Sequence, residues 1–408
     1  MNRAAALSHF AFFSIALALA SCGGSPAPQG PRPTGRIYSA EEVQREAQEL
    51  VVREAEARAR FLALSALRER LVARGLALDP LPSSPGLPTE RHVPTSGLSE
   101  QDLAERMARL RKANEDLERF VPRLDRLRAK LLEHVDAQSG DPLAQLDAIE
   151  RAGRGTLRLP LHERELALEL IYVPPSRGAL GIDLDDPELP YPLERRGAAR
   201  VTSSPALELV IAEGFFLQRG ELTRAELAML RGLPAPEERE AALPATGLTW
   251  REAQELAASV QHAQLAVRLP SEVEWEHAAR FDPAGPPRFY PWGSMRDSAR
   301  AAELARELTS AENAGVDRSA LGLVHLAGNA REWTLDPWRE RRWQAMAPLA
   351  VHHPTRLESP KETPALVAVR GSAAGEEGVL RCECAFRAAV DPNTCEATIG
   401  VRLLVLRR

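Results

Sequence analysis

A chain of 408 residues, 44% hydrophobic and 27% charged, is long enough for a core domain plus an appendage and has the make-up of an ordinary soluble protein. Its net charge of −5 lacks the basic excess that nucleic-acid binding needs, so no nucleic acid is expected as a partner. Lysine occurs only at Lys112, Lys130 and Lys361, and arginine, spread among acids, carries almost all the positive charge.

Arg3 is the only charge before an apolar run from Ala11 to Ala20, and Leu19-Ala20-Ser21-Cys22 follows. The run is too short for a transmembrane helix. Its ending resembles the bacterial lipoprotein signal box, which implies a signal peptide over residues 1–21 and lipidation at Cys22. Gly23 and Gly24 offer no aspartate of the inner-membrane retention kind. The expected location is the cell envelope, at the outer membrane, facing the periplasm or the cell surface. Residues 22–37, rich in Pro, Gly and Ser, read as a flexible linker.

Residues 38–138 carry helical patterning. Ser39 and Glu42 form a capping box, and Val43, Leu50, Ala57, Leu64 and Leu71 recur every seven residues, with Ala47 and Phe61 in the same stripe. Leu103, Leu110, Leu117, Leu124 and Leu131 repeat likewise, interleaved with Met107, Asn114, Val121 and Val135, a coiled-coil pattern. Pro122 should kink the second helix or split it in two. The Pro-, Ser- and Gly-rich stretch from Asp79 to Gly97 is long enough to reverse the chain, so an antiparallel helical hairpin is expected. The alternative use of the seam is self-association or a partner helix, with Asn114 setting register.

Residues 139–165 read as a linker, after which short apolar stretches replace the heptads. Thr223 with Glu226, Thr249 with Glu252 and Ser271 with Glu274 form further capping boxes. The last opens a short helix that buries Trp275, and Tyr290-Pro291-Trp292-Gly293 reads as a turn with aromatic side chains to cover.

Three of these blocks carry a family resemblance. Arg268-Leu-Pro-Ser-Glu-Val-Glu-Trp-Glu-His-Ala-Ala-Arg280, Tyr290-Pro-Trp-Gly293 and Gly322-Leu-Val-His-Leu-Ala-Gly-Asn-Ala-Arg-Glu-Trp333 resemble, in order, signature blocks of the formylglycine-generating (sulfatase-modifying factor) enzymes. Val369-Arg-Gly-Ser372, Cys384-Ala-Phe-Arg387 and Ile399-Gly-Val-Arg-Leu403 are similar to its C-terminal signatures. The resemblance implies an α+β fold of the C-type-lectin-like kind over residues 166–408, with much irregular chain.

The chemistry of that family is altered here. Its oxygen-dependent enzymes oxidise a substrate cysteine at copper held by two thiolates. Aligned on Arg387, this chain places Val379 at the second copper position and Cys384 beyond it, Ala373 replaces an aromatic residue, and Arg331 replaces a pocket tryptophan. Oxidase activity and copper are therefore not expected. Nor is iron, since His92 and His134 do not make the His-x3-His-x-Glu motif of the family's non-haem iron branch. Cys382, Cys384 and Cys395 lack zinc-ligand spacing, and export favours a disulfide from Cys395 to Cys382 or Cys384, with Cys384 the chosen partner.

The resemblance also implies a calcium loop, with the carbonyls of Gly328 and Ala330 and the carboxylate of Glu332 as ligands, although His325 stands where an oxygen ligand belongs. The other reading pairs Glu332 with an arginine and uses Asn329 to satisfy a buried turn. His325, Asn329 and Arg331 are the remaining cleft candidates. His277 is expected to pack, and His352-His353 to lie in a loop. The function that follows is a lipid-anchored envelope protein whose degenerate domain binds or scaffolds a protein or glycan partner, the alternative being a divergent metal-dependent enzyme of the same superfamily.

Overall fold

The computed structural model describes residues 37–83, 97–135, 140–161, 164–185, 202–260, 262–299, 301, 306–315, 317–346, 351–353, 362–375 and 379–408. Cys22, the signal peptide, the linker through Arg36 and His92 lie outside them. Among the described residues no helix is long and apolar enough to cross a membrane.

Two long helices come first, α1 (Ala40–Ala73) and α2 (Glu100–Leu132). Ser39 caps α1 through the expected box, and Ser99 caps α2 through a second box with Asp102. The heptad residues Val43, Leu50, Leu64 and Leu71 of α1 and Leu103, Leu110, Leu117 and Leu124 of α2 are buried. Pro122 lies inside one continuous helix and does not divide it.

The helices do not form an antiparallel hairpin; they run parallel. Asn114 Nδ2 donates to Glu46 Oε1 at 2.7 Å, Arg53 pairs with Glu118, Arg60 pairs with Asp125, and Arg128 donates to the Ala63 carbonyl at 2.7 Å. Partner numbers rise together along both helices, which only parallel packing allows. At about 1.5 Å per residue α1 is roughly 50 Å long, and the connection from Arg74 to Ser99 is long enough to run back along it. Arg68 donates to the carbonyls of Leu78 and Asp79, so the chain turns back at once. A heptad seam is satisfied by either direction, which is why its sequence pattern could not choose.

The stretch read as a linker is folded. Asp141 caps α3 (Pro142–Ala152) with Pro142 at its first position, and β1 (Arg154–Leu161) follows. All eight residues of β1 pair with β2 (Arg164–Val173), and Leu157, Leu159, Leu166, Leu168 and Leu170 fill the core side. The lectin-like domain therefore begins near Pro142, because this hairpin is an edge of its main sheet.

Beyond β2 come β3 (Ser176–Leu180), β4 (Leu207–Ile211) and β5 (Phe215–Gln218). Helices α4 (Arg224–Leu230), α5 (Trp250–Ser259) and α6 (Glu272–Arg280) follow, with β6 (Leu265–Arg268) between the last two. All three start at the expected capping boxes. Then come β7 (Arg331–Pro337), β8 (Val351–His353), β9 (Val367–Arg370), β10 (Arg387–Val390), β11 (Ile399–Gly400) and β12 (Leu404–Arg407). His352 and His353 thus stand in a strand rather than a loop.

Among the described residues the strands form three sheets, ordered β1-β2-β5-β12-β6, β10-β9-β7-β11 and β3-β4-β8. The C-terminal strand β12 sits inside the first, antiparallel to β5 and β6. Long irregular segments join these sheets, so the fold is α+β as the resemblance implied. Helix α6 is buried on every side from Glu272 to Arg280, unlike the one-sided helix of a domain surface.

The helical pair is docked on this domain through charge. Asp147 of α3 pairs with Arg70 of α1 and Arg407 of β12, Glu150 pairs with Arg128 of α2 and with Arg407, and Arg177 of β3 pairs with Glu49 of α1 at 2.9 Å.

Candidate functional site

Helix α6 alternates glutamates at Glu272, Glu274 and Glu276, all fully buried. Buried carboxylates need partners, and each has arginine. Glu272 takes Arg387, Arg342 and Arg370. Glu274 receives both ends of the Arg268 guanidinium at 2.7 Å, and Glu276 takes Arg370 at 2.8 Å and Arg280 at 3.1 Å. Burial opposes ionisation of Glu272, but Arg387, Arg342 and Arg370 outweigh it and hold its pKa below the usual carboxylate range.

Trp275, between them, donates Nε1 to Glu332 Oε2 at 2.7 Å. Glu332, on β7, is fully buried, and both its oxygens accept from Arg402 at 2.6–3.0 Å. Arg402 also donates to the carbonyls of Gln218, Arg219, Val324 and His325. Burial raises the Glu332 pKa, with Arg402 acting against it.

The loop before β7 holds the rest of the cluster. His325 and Asn329 adopt left-handed backbone conformations, φ 58° and 70°, uncommon for non-glycine residues and held here by side-chain bonds. His325 Nδ1 lies 3.0 Å from Glu221 Oε2. Asn329 donates to Glu221 Oε1 and to the Thr309 carbonyl, and accepts from the Thr309 N–H at 2.8 Å. Asp317 accepts from the backbone N–H groups of Leu326, Ala327 and Gly328. Burial alone would lower the His325 pKa, but the Glu221 and Asp317 carboxylates raise it above the ordinary histidine value.

This geometry decides between the two readings of the loop. Glu332 spends its lone pairs on Arg402 and Trp275, so the one carboxylate of the expected calcium set is already taken. The spent Glu332 carboxylate does not fit calcium, so the calcium reading of Gly328, Ala330 and Glu332 gives way to the pairing of Glu332 with a buried arginine. Among the described residues no group of three or more His, Cys, Asp or Glu is placed to hold a metal.

Arg331 does not join His325 and Asn329. Successive residues of a strand face opposite ways, so with Glu332 inward Arg331 turns out to Glu396 at 3.1 Å.

The proposed Cys384–Cys395 disulfide is also corrected. Cys382, Cys384 and Cys395 are all free thiols, the first two buried and the last exposed. Strand β10 carries the chain away from Cys384, whose N–H donates to the Phe289 carbonyl at 3.0 Å, before Cys395 is reached. Burial pushes the Cys382 thiol up to about 12, so it is an unreactive thiol at neutral pH. His277 packs as expected, fully buried with Nε2 2.8 Å from the Ser176 hydroxyl.

Glu221, Asp317 and Arg402 were not singled out in the sequence. A signal existed: Arg402 stands between Val401 and Leu403, and a charge inside an apolar stretch needs a buried counter-charge.

The fold and this cluster define an α+β domain of the lectin-like kind with a polar centre locked by arginine–carboxylate pairs. Residues 195–406, just over half of the chain, match the sulfatase-modifying factor enzyme 1-like domain, and the chain belongs to that family. Among characterised relatives it is 29% identical over 252 residues to a hercynine oxygenase of Mycolicibacterium thermoresistibile, covering 54% of this chain and 52% of that protein. It is 33% identical over 131 residues to the hercynine oxygenase of Mycolicibacterium smegmatis, covering 31% and 28%. The chain thus spans about half the length, or less, of these relatives. Of solved structures, PvdO from Pseudomonas aeruginosa aligns with a TM-score of 0.45 at 20% identity, over 62% of this chain and 97% of that one. Treponema denticola variable protein 1 aligns with a TM-score of 0.43 at 15% identity, over 61% and 98%.

Proposed function

We propose that this protein is a lipid-anchored component of the bacterial cell envelope in which the sulfatase-modifying-factor domain serves as a binding or scaffolding module for a protein or glycan partner. The observation that carries the reading is the saturation of the central carboxylates. Glu332, Glu221 and Asp317 give their oxygens to Arg402, Trp275, His325, Asn329 and backbone N–H groups. A site of that kind is rigid and has no open coordination position. The anchor rests on the Leu19-Ala20-Ser21-Cys22 box, and the outer membrane is the location it fits best.

A second reading, a metal-dependent oxygenase, is favoured by the names of the relatives alone. It has to find its ligands away from the cluster described, since the chain lacks the His-x3-His-x-Glu spacing of the family's non-haem iron branch.

The anchor is tested by growing cells with an alkyne-tagged fatty acid. The wild-type chain should take up the label and sediment with membranes, and Cys22→Ala should abolish labelling and release the protein to the soluble fraction. Membrane retention of unlabelled Cys22→Ala would overturn the anchor.

A further inference from the structure

Between the helical pair and the lectin-like domain lies a crevice of about 470 Å³, within the size range of small-molecule sites, roughly 300–1,000 Å³, and at the kind of boundary where they concentrate. We propose that this crevice binds an amphiphilic anion, a carboxylate- or phosphate-headed molecule with a short aliphatic body. The inference is independent of the anchor and of the locked cluster.

Its apolar wall is a stripe on α1. Ala59, Leu62, Ala63 and Ala66 line the crevice at the spacing that puts residues on one helix face. Leu62 is 45% exposed, an apolar side chain left in solvent at the crevice. Pro174 and Pro175 line it as well. Such walls suit an aliphatic chain rather than a sugar or a bare ion.

Six arginines line the crevice against three carboxylates, Asp125, Glu150 and Glu213. Arg60 and Arg407 each keep a buried Nε–H with no hydrogen-bond partner. Tyr172, another lining residue, has no acceptor for its hydroxyl among the described residues, and Gly214 makes room for it, since a Cβ there would fall 2.3 Å from that oxygen. Arg151 spends only Nη1, on the carbonyls of Leu132 and Val135, and neither Arg151 nor Arg408 has a carboxylate partner among the described residues. Unmatched donors and guanidinium groups beside an apolar wall call for a ligand that brings oxyanion acceptors on an aliphatic body.

The test uses the full mature chain with Cys22→Ser, so that no covalent lipid competes, and isothermal titration with decanoate and decyl phosphate below their micelle-forming concentrations. Neutral decyl maltoside and inorganic phosphate are the controls. Saturable single-site binding of at least one anionic amphiphile, with neither control binding comparably, is expected, and the preferred headgroup tells a fatty acid from a phospholipid source. Leu62→Asp, at an exposed position that leaves the fold intact, should weaken binding by about tenfold or more, and Tyr172→Phe by about fivefold. No saturable binding, equal binding of either control, or unchanged affinity in both variants would overturn the proposal.

Discussion

Replacing Arg402 by methionine is expected to be the most damaging single change in the lectin-like domain. The guanidinium and the Glu332 carboxylate are 0% and 1% exposed, and the arginine also serves four backbone carbonyls. Removing it strands a buried negative charge, a loss of about 3–5 kcal/mol. For a domain of this size that lowers the melting temperature by on the order of 10 °C. Adding Glu332→Gln should restore part of the loss, because the stranded charge goes with it, and a double-mutant cycle reads the coupling directly. A fall below about 1 kcal/mol in urea denaturation of Arg402→Met would mean that the pair is not the keystone described here.

Glu150→Ala should loosen the helical pair on the domain. The Glu150 side chain is 5% exposed and faces Arg128 of α2, with Arg407 of β12 at 2.7 Å on its other side, so one carboxylate ties three elements. The expected loss is about 3 kcal/mol, concentrated in the docking rather than in the sheets. Hydrogen exchange should speed up in the second half of α1 and in α2 while β2, β5 and β12 keep their protection. The same loosening should follow acidification of the wild type. Burial raises the Glu150 pKa, but Arg407 and Arg128 outweigh it and the folded-state value is lowered. A lowered carboxylate pKa contributes stability above its unfolded value and loses it as pH falls through the folded one. Docking should therefore hold at neutral pH and fail below the ordinary carboxylate range. Uniform loss of protection across the whole chain would contradict a separable dock.

What the sequence made legible was local. The boxes at Ser39, Thr223, Thr249 and Ser271 all became helix starts, because N-cap chemistry is settled within four residues. The blocks around Trp275 and Trp333 located the lectin-like domain. The direction of the helical pair was hidden, since a heptad stripe on each helix is indifferent to it, and the clue lay in charges such as Arg60 and Asp125 whose pairing is long-range. Strand β1 was missed because Leu157, Leu159 and Leu161 stand in a short alternation beside Gly153 and Gly155. In the site, Glu332 and Asn329 were found by their place in a motif. Their partners Arg402 and Glu221 were not, because a salt bridge between residues 70 positions apart leaves no spacing to read.

The claim on which the account turns is that a family architecture persists here around a centre that its own arginines have closed. The most direct check is to give the purified full chain a cysteine-bearing peptide and oxygen, with Cu(I) and then with Fe(II), and to follow oxygen uptake together with capture of any peptide aldehyde by a hydrazine reagent. The account predicts no metal-dependent uptake above that of the heat-denatured protein and no captured aldehyde. Catalytic turnover with either metal, abolished by denaturation, would contradict it.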